Sequence, residues 1–578
     1  MRIVIEDFPY PEERLRNVLP ERMLGLPNKN GEIRPPYVGY CFNPRINDCI
    51  FFLPKVVLTK DRKDKNDVTG RGLVFDHYDP IDLLDFDKSV LDEADRKFLQ
   101  KFAIWIYRAI NIFYKNNDTS IISSHTFLKV DASTHKKEGT LIDSILSLLQ
   151  FARDNREFVM FEIKNIHRGY NRVNWHKTVS HQQPIRQGKS PIYLNPINKK
   201  KQIDSDEELF VIFFSILRHI HDNFGFPAEI NINYDTIKRN EFRKYLNGYG
   251  KTRLRQIKYK YFSDNALKLW HLCYSFFDDT ERFNTSSTGY DFLIAKDFNI
   301  VFESIIETLL GEKLPRGFKS QNDGKIVDHI YPYDALVNPQ EQIYHIADSK
   351  YYKIGASMGK EAIYKQFTYA KNVIQLTFDI LFETDNEKNR HRRGYLPYRD
   401  SLTEGYNITP NFFISAKIKK DDSRERYSFS SDNLMPHENE SADEQRPKYR
   451  IIQFHNRLFD RDTLILSHYD INFLYLIALY GKNNHSEQSD FRRRARNVFR
   501  NYIIELLERY YLFYRIDIPS EKFSEFVESH FRELNGKLYH FDNTLIMALD
   551  RYHEKTPELI EKYRDKIVKY ILLKDTRQ

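Results

Sequence analysis

The chain is poor in cysteine. Among its 578 residues only Cys41, Cys49 and Cys273 carry thiols. None lies in a C-x-x-C, and three cannot build a disulfide framework or a cysteine-based zinc site. Such usage suggests a reducing cytoplasm. Long apolar runs are also missing: the longest, Ile471 to Tyr480, is about half the ~20 residues a membrane helix needs, so no membrane partner is expected. The opening Met1-Arg2-Ile3-Val4-Ile5-Glu6-Asp7 is too acidic and too short in apolar side chains for a signal peptide. No internal repeat, G-x-S-x-G or H-E-x-x-H occurs, and Asn483-Asn484-His485 lacks the partner histidines of an HNH site. Gly248-Tyr249-Gly250-Lys251-Thr252 ends like a phosphate-binding loop. However, Tyr245 stands where the first glycine belongs and no apolar strand leads in, so the chain is not expected to hydrolyse nucleotides by itself.

What is present describes a folded, multi-domain protein. Hydrophobic residues make up 41% and aromatics 15%, with 38 Tyr and 43 Phe, which is ample for packed cores. The length exceeds one core, so about two to four domains are expected. The balance of 89 basic against 81 acidic residues, net +8, fits a nucleic-acid partner without requiring one.

Residues 37–59 hold two β-rich runs around polar turn residues and read as a hairpin. Apolar spacing predicts helices over 93–115, 139–153 and 207–224. Residues 236–262 are strongly basic, with Lys251, Arg253, Arg255 and Lys258 interleaved with tyrosines. Bases can stack on tyrosine while the cations meet phosphates, or the stretch is a solvated helix face. An orderly run follows: helix 296–311, strands 324–332 and 342–350, helix 359–383, strands 408–418 and 449–455, and a helix over 469–480 closed by Gly481. Residues 384–405 and 419–448 read as loops. The last ~95 residues look helical and open with the basic Phe491-Arg492-Arg493-Arg494-Ala495-Arg496.

The chemistry concentrates in Ile346-Ala347-Asp348-Ser349-Lys350. Side chains two apart on a strand share a face, so Asp348 and Lys350 project together and Ser349 points away. Asp328 opens the preceding strand, and its carboxylate converges with Asp348 if the two strands pair. Glu303 lies at the edge of the apolar stripe Phe302, Ile305, Ile306 and Leu309, from which a carboxylate reaches the strand ends. Phosphodiester hydrolysis needs an activated water and relief of charge at phosphorus. Hard carboxylate oxygens bind Mg²⁺, which keeps some waters and also takes a phosphate oxygen. Asp328, Asp348 and Glu303, with the Ser349 carbonyl, are the expected metal ligands. Lys350 is expected to orient water or stabilise transition-state charge. A strand-end Asp and Lys can also be a plain surface ion pair. Gln366 and Lys365 open the next helix and face the same rim, or belong to an ordinary amphipathic helix. Lys353 follows the D-x-K and reads as a nucleic-acid contact. His329 and His345 read as packing or phosphate contacts rather than metal ligands.

Phe302-Glu303, Val327-Asp328 and Asp348-Ser349-Lys350 resemble the acidic helix, second acid and D-x-K of the PD-(D/E)XK nucleases, with Val327 in place of the proline. A longer pattern resembles the LlaJI-type, McrC-like restriction endonuclease subunits. It comprises Tyr37-Val38-Gly39-Tyr40 leading to Phe52-Leu53-Pro54-Lys55, then Val173-Asn174-Trp175-His176-Lys177-Thr178, then Ala347 to Tyr352, and Lys365-Gln366. The resemblance implies an α/β multi-domain chain: a β-rich, partner-contacting region (1–90), a mainly helical middle (91–285), a PD-(D/E)XK domain of mixed sheet flanked by helices (286–482), and a helical C-terminal region (483–578). It implies a Mg²⁺-dependent endonuclease, Mn²⁺ able to substitute, that cuts double-stranded DNA in a bacterial restriction system. The implied partner is an McrB-like AAA+ GTPase, with a homo-oligomer as one route to double-strand cleavage. Two other readings stay open: a non-catalytic subunit that stimulates an AAA+ motor, and a nuclease acting on RNA or branched DNA.

Overall fold

The computed structural model describes residues 2–43, 45–46, 48–58, 79–85, 93–116, 127–129, 141–156, 158, 162–166, 173–202, 208–224, 226, 228–231, 234–285, 291–312, 314, 319, 326–353, 359–382, 399–418, 427–436 and 456–572. The hairpin read from 37–59 is present as β2 (Val38–Asn43) and β3 (Asp48–Leu53), both buried throughout. β1 (Arg2–Ile5) adds to β3 in parallel. Two strands from farther along the chain, β4 (Phe127–Lys129) and β5 (Asp291–Ala295), complete a five-stranded sheet in the order β1-β3-β2-β5-β4. Gly39 is required there. Its φ is +137°, and a Cβ at that position would lie 2.3 Å from the Leu293 carbonyl oxygen of β5.

The helices α1 (Glu93–Asn116), α2 (Leu141–Asp154) and α3 (Glu208–Phe224) follow the predicted periodicity, and α4 (Gly250–Ile257) and α5 (Asp264–Thr285) come after them. Next come α6 (Phe298–Leu310), β6 (His329–Asp334), β7 (Gln342–Lys350), α7 (Lys360–Phe382), β8 (Asn411–Lys417), β9 (Met435–Pro436), β10 (Ser467–Asn472) and α8 (Phe473–Lys482). Their sheet is mixed and runs β6-β7-β8-β10-β9. β6 pairs antiparallel with β7, while β7, β8 and β10 run parallel.

Two expectations are corrected here. The helix read over 469–480 starts at 473, because 467–472 alternates as a strand and Asn472 then caps the helix, accepting from Leu474 N at 3.0 Å. It ends not at Gly481 but at Asn483, which is left-handed (φ 52°). Gly481 is there for space: a Cβ would sit 2.7 Å from the Trp105 ring. The strand read at 449–455 lies outside the described residues.

The C-terminal region is not all helical. After α9 (His485–Tyr510) come β11 (Tyr511–Ile516), α10 (Phe523–Leu534), β12 (Leu538–Phe541), β13 (Thr544–Asp550) and β14 (Ile567–Lys569). The strands form an antiparallel sheet in the order β12-β13-β11-β14. Tyr511–Ile516 reads Tyr-Leu-Phe-Tyr-Arg-Ile, an aromatic-rich segment whose burial alternates along most of its length, so period two overrides the helical period that precedes it.

A continuous apolar core runs from β1 through α6 to α9. Cys41, Cys49 and Cys273 are buried free thiols. Among the described residues no helix is long and apolar enough to cross a membrane.

Candidate active site

The register of β6 and β7 builds the site. His329 pairs with Ala347 and Ile330 with Ile346, so one step further Asp328 lies opposite Asp348. Directly opposed positions share a face, and the two carboxyl groups meet in a hydrogen bond. Lys350, two residues along the same strand, donates from Nζ to Asp348 Oδ2 at 2.5 Å, with Asp348 2% exposed. Lys350 Nζ also stands 5.2 Å over the Phe413 ring of β8. Burial and the facing Asp348 push Asp328 up to about 8. Glu303 adds to that push and Lys350 opposes it.

Glu303 approaches from α6. Burial first, then Asp348, raises its pKa, while Asn299, Lys350 and Lys365 hold it back. Lys365, exposed on α7, bonds Tyr369 and feels both Asp328 and Asp348. Glu303, Asp328, Asp348, Lys350 and Lys365 are thus brought together. Among the described residues no group of three or more His, Cys, Asp or Glu side chains is already placed to hold a metal ion.

The remaining predicted residues are placed elsewhere. Gln366 is fully buried and its Nε2 donates to Asn411 Oδ1 at 2.6 Å, while Asn411 Nδ2 donates to the Gln366 carbonyl at 3.2 Å. Those bonds fasten α7 to the start of β8. The Ser349 hydroxyl is buried without a partner among the described residues, on the face away from Asp348. Lys353 pairs with Asp7 at 2.8 Å. Lys251 pairs with Asp278 and Glu281 at 2.7 and 2.8 Å, Arg253 with Glu208, and Arg255 bonds and covers Tyr274, while Lys258 covers Trp270. The basic segment 236–262 therefore spends these four cations on the neighbouring helices α3 and α5. His345 donates to the Asp334 carbonyl at 3.2 Å and stacks on Tyr331. Burial lowers it to about 3, which makes it a neutral core histidine.

Sequence reasoning missed a brace behind Asp328. Glu307 accepts from His329 Nδ1 at 3.0 Å and from Lys319 Nζ at 2.5 Å, and Lys319 also donates to the Asp328 carbonyl at 3.1 Å. The available signal was the Glu303–Glu307 spacing of four, which sets both acids on one helix face. It also missed what holds α6. Arg492 Nη2 donates to the Thr308 carbonyl at 2.7 Å, and Arg496 donates to the Leu310 carbonyl at 2.7 Å and the Gly311 carbonyl at 3.2 Å. These cations satisfy the open carbonyls at the helix C-terminus.

Two motifs far apart in sequence meet beside the site. Tyr351, directly after Lys350, donates its hydroxyl to the buried Glu6 carboxylate. The Lys55 backbone N–H donates to the same carboxylate at 2.9 Å, and Lys55 Nζ lies 5.0 Å over the Tyr351 ring. In Asn174-Trp175-His176-Lys177-Thr178, by contrast, the residues make a helix cap: Asn174 accepts from Lys177 N, and Thr178 bonds Ile197.

The model of the LlaJI restriction endonuclease family matches residues 86–409. The chain belongs to this family. The matched span includes Asp348, Lys350 and Gln366, and also Glu303 and Asp328. No curated protein matches the chain. Among solved structures, a refined half-complex from a tetradecameric assembly of Thermococcus gammatolerans McrB AAA+ hexamers with bound McrC is 10% identical. That match covers 86% of this chain and 99% of that one, with a TM-score of 0.27.

Proposed function

We propose that this LlaJI-family chain is the DNA-cutting subunit of a bacterial restriction system. It is a Mg²⁺-dependent endodeoxyribonuclease with a PD-(D/E)XK core, acting with an McrB-like AAA+ GTPase. The observation that carries the reading is the meeting of half-buried Asp328 with buried Asp348, with Lys350 on the same strand face.

Two carboxylates pressed together where little water reaches one of them call for a proton or a cation between them. The donor set fits a hard divalent ion, since Mg²⁺ commonly uses one or two carboxylates and leaves its other positions to water and phosphate. Asp328 and Asp348 would hold the ion, with Glu303 and the Ser349 carbonyl as further oxygens. When bound, Mg²⁺ (or Mn²⁺ in its place) relieves charge on a phosphate oxygen and acidifies a water. Lys350 donates a hydrogen bond to the attacking water and stabilises charge that develops at phosphorus. Lys365, at the rim, meets the phosphates of double-stranded DNA. Gln366 keeps α7, and with it Lys365, in register with β8. The N-terminal sheet is the element assigned to the partner, and Glu6 and Lys55 tie it to Tyr351 beside the D-x-K.

The test incubates supercoiled plasmid with the full chain, a neighbouring AAA+ protein and GTP, in Mg²⁺ or in EDTA. Nicked or linear product in Mg²⁺ alone is expected. Cleavage in EDTA, or none in either, contradicts the proposal. A pull-down expects the AAA+ protein to co-purify, and recovery of the chain alone counts against that partner.

A further inference from the structure

We propose that a cavity between α1, α2 and the segment that follows α3 binds a nucleoside phosphate. The cavity measures about 620 Å³, within the size range of small-molecule sites. Its chemistry is two-sided. Trp105, Leu146, Leu149 and Phe226 give it an apolar wall, while Lys97, Lys101, Arg108 and Arg153 bring four cations to it. The acid in the lining, Glu229, is already bonded by Arg156, whose Nε donates at 3.0 Å. Charge around the cavity is therefore weighted toward cations.

Arg108 is the centre of this arrangement. Its guanidinium lies 5.1 Å over the Trp105 ring. It is half-buried, and burial and the neighbouring Arg153 both weaken its hold on its proton, with Asp143 offsetting part of this. Two arginines close enough to repel each other favour an anion between them. The indole beneath is rigid, because its edge rests against the face of Gly481 where no Cβ intervenes. A guanidinium over an indole offers a flat platform for an aromatic ring, and Arg153 offers donors for phosphate oxygens. A bare inorganic anion leaves the apolar wall unused, and an uncharged ring leaves the cations unmatched. A base bearing a phosphate satisfies both. Its source is either a free nucleotide or one nucleotide of an unpaired DNA strand. The site shares no residue with Asp328, Asp348 and Lys350, so its fate is independent of the nuclease reading.

Tryptophan emission of the full chain tests the proposal, titrated with dAMP, with a short unpaired oligodeoxyadenylate and with inorganic phosphate. A nucleotide or the oligonucleotide is expected to quench emission, and Trp105→Phe is expected to remove the quench although Trp175 and Trp270 remain. Arg108→Gln and Arg153→Gln are each expected to weaken binding about tenfold or more. Arg153 is exposed, so its variant should melt like wild type. Oligonucleotide binding more than about tenfold tighter than dAMP assigns an unpaired strand, and equal binding assigns a free nucleotide. Three results overturn the proposal: no quench by dAMP or oligonucleotide, inorganic phosphate binding as tightly as both, or unchanged affinity in both arginine variants.

Discussion

At the scale of single residues, the chemistry rests on how tightly Asp328 and Asp348 are opposed. Asp328 has a folded pKa of about 8, far above that of an unfolded aspartate. The folded state therefore holds its proton more tightly than the unfolded one does. The stability this adds is fully present below the ordinary aspartate pKa and is lost as pH rises through about 8. In metal-free protein the melting temperature should decline across that window, and Asp328→Asn should flatten the decline. Equal slopes in the two proteins would show that the pair is not strained. Divalent-ion affinity should rise over the same window as the site gives up its proton, measurable by calorimetry. Lys350 bonds Asp348 without carrying the fold, so Lys350→Met should slow cleavage by about 10²–10³-fold while the melting temperature barely moves.

At the scale of elements, the site is held from outside. Helix α6, which carries Glu303 and Glu307, ends on carbonyls that Arg492 and Arg496 satisfy. Replacing Arg496 with Met leaves two buried carbonyls short of a donor and should cost about 3 kcal/mol, read in denaturant unfolding. Cleavage should fall with it, because Glu303 rides on the same helix. The D-x-K strand was legible in the sequence because its nine residues form an apolar run ending in Asp348 and Lys350, and period two fixes their shared face. Asp328 was legible because a paired strand must present its end to theirs. Lys319 was not, because it belongs to no periodic element. Phe491 to Arg496 reads as a cationic surface. In the folded chain two of its arginines turn inward, since the helix end they meet lies nearly two hundred residues away in sequence. Lys251 and Arg253 mislead for the same reason: their acids, Asp278, Glu281 and Glu208, come from other helices. The C-terminal strands were masked by the long helix α9 that leads into them.

At the scale of the whole molecule, the N-terminal sheet and the D-x-K sheet are joined through Glu6, Lys55 and Tyr351. Burial lifts Glu6 above the usual carboxyl range, and the Tyr351 hydroxyl and the Lys55 N–H hold it back. Tyr351→Phe removes one of those donors and should cost about 1–3 kcal/mol of stability in a thermal or urea melt. An unchanged melt would mean that the contact does not join the two sheets. The segments Phe52 to Lys55 and Asp348 to Tyr352 were legible as separate motifs, but their contact follows only from the way the two sheets pack.

The central claim is that Asp348 and its neighbours cut DNA. The most direct measurement is the rate of plasmid cleavage in Mg²⁺, with the AAA+ partner present, for wild type against the near-isosteric Asp348→Asn. The variant keeps the shape of the site and removes the charge, so it should melt at or above the wild-type temperature and cleave orders of magnitude more slowly. Equal cleavage by the two proteins would place the chemistry elsewhere in the chain.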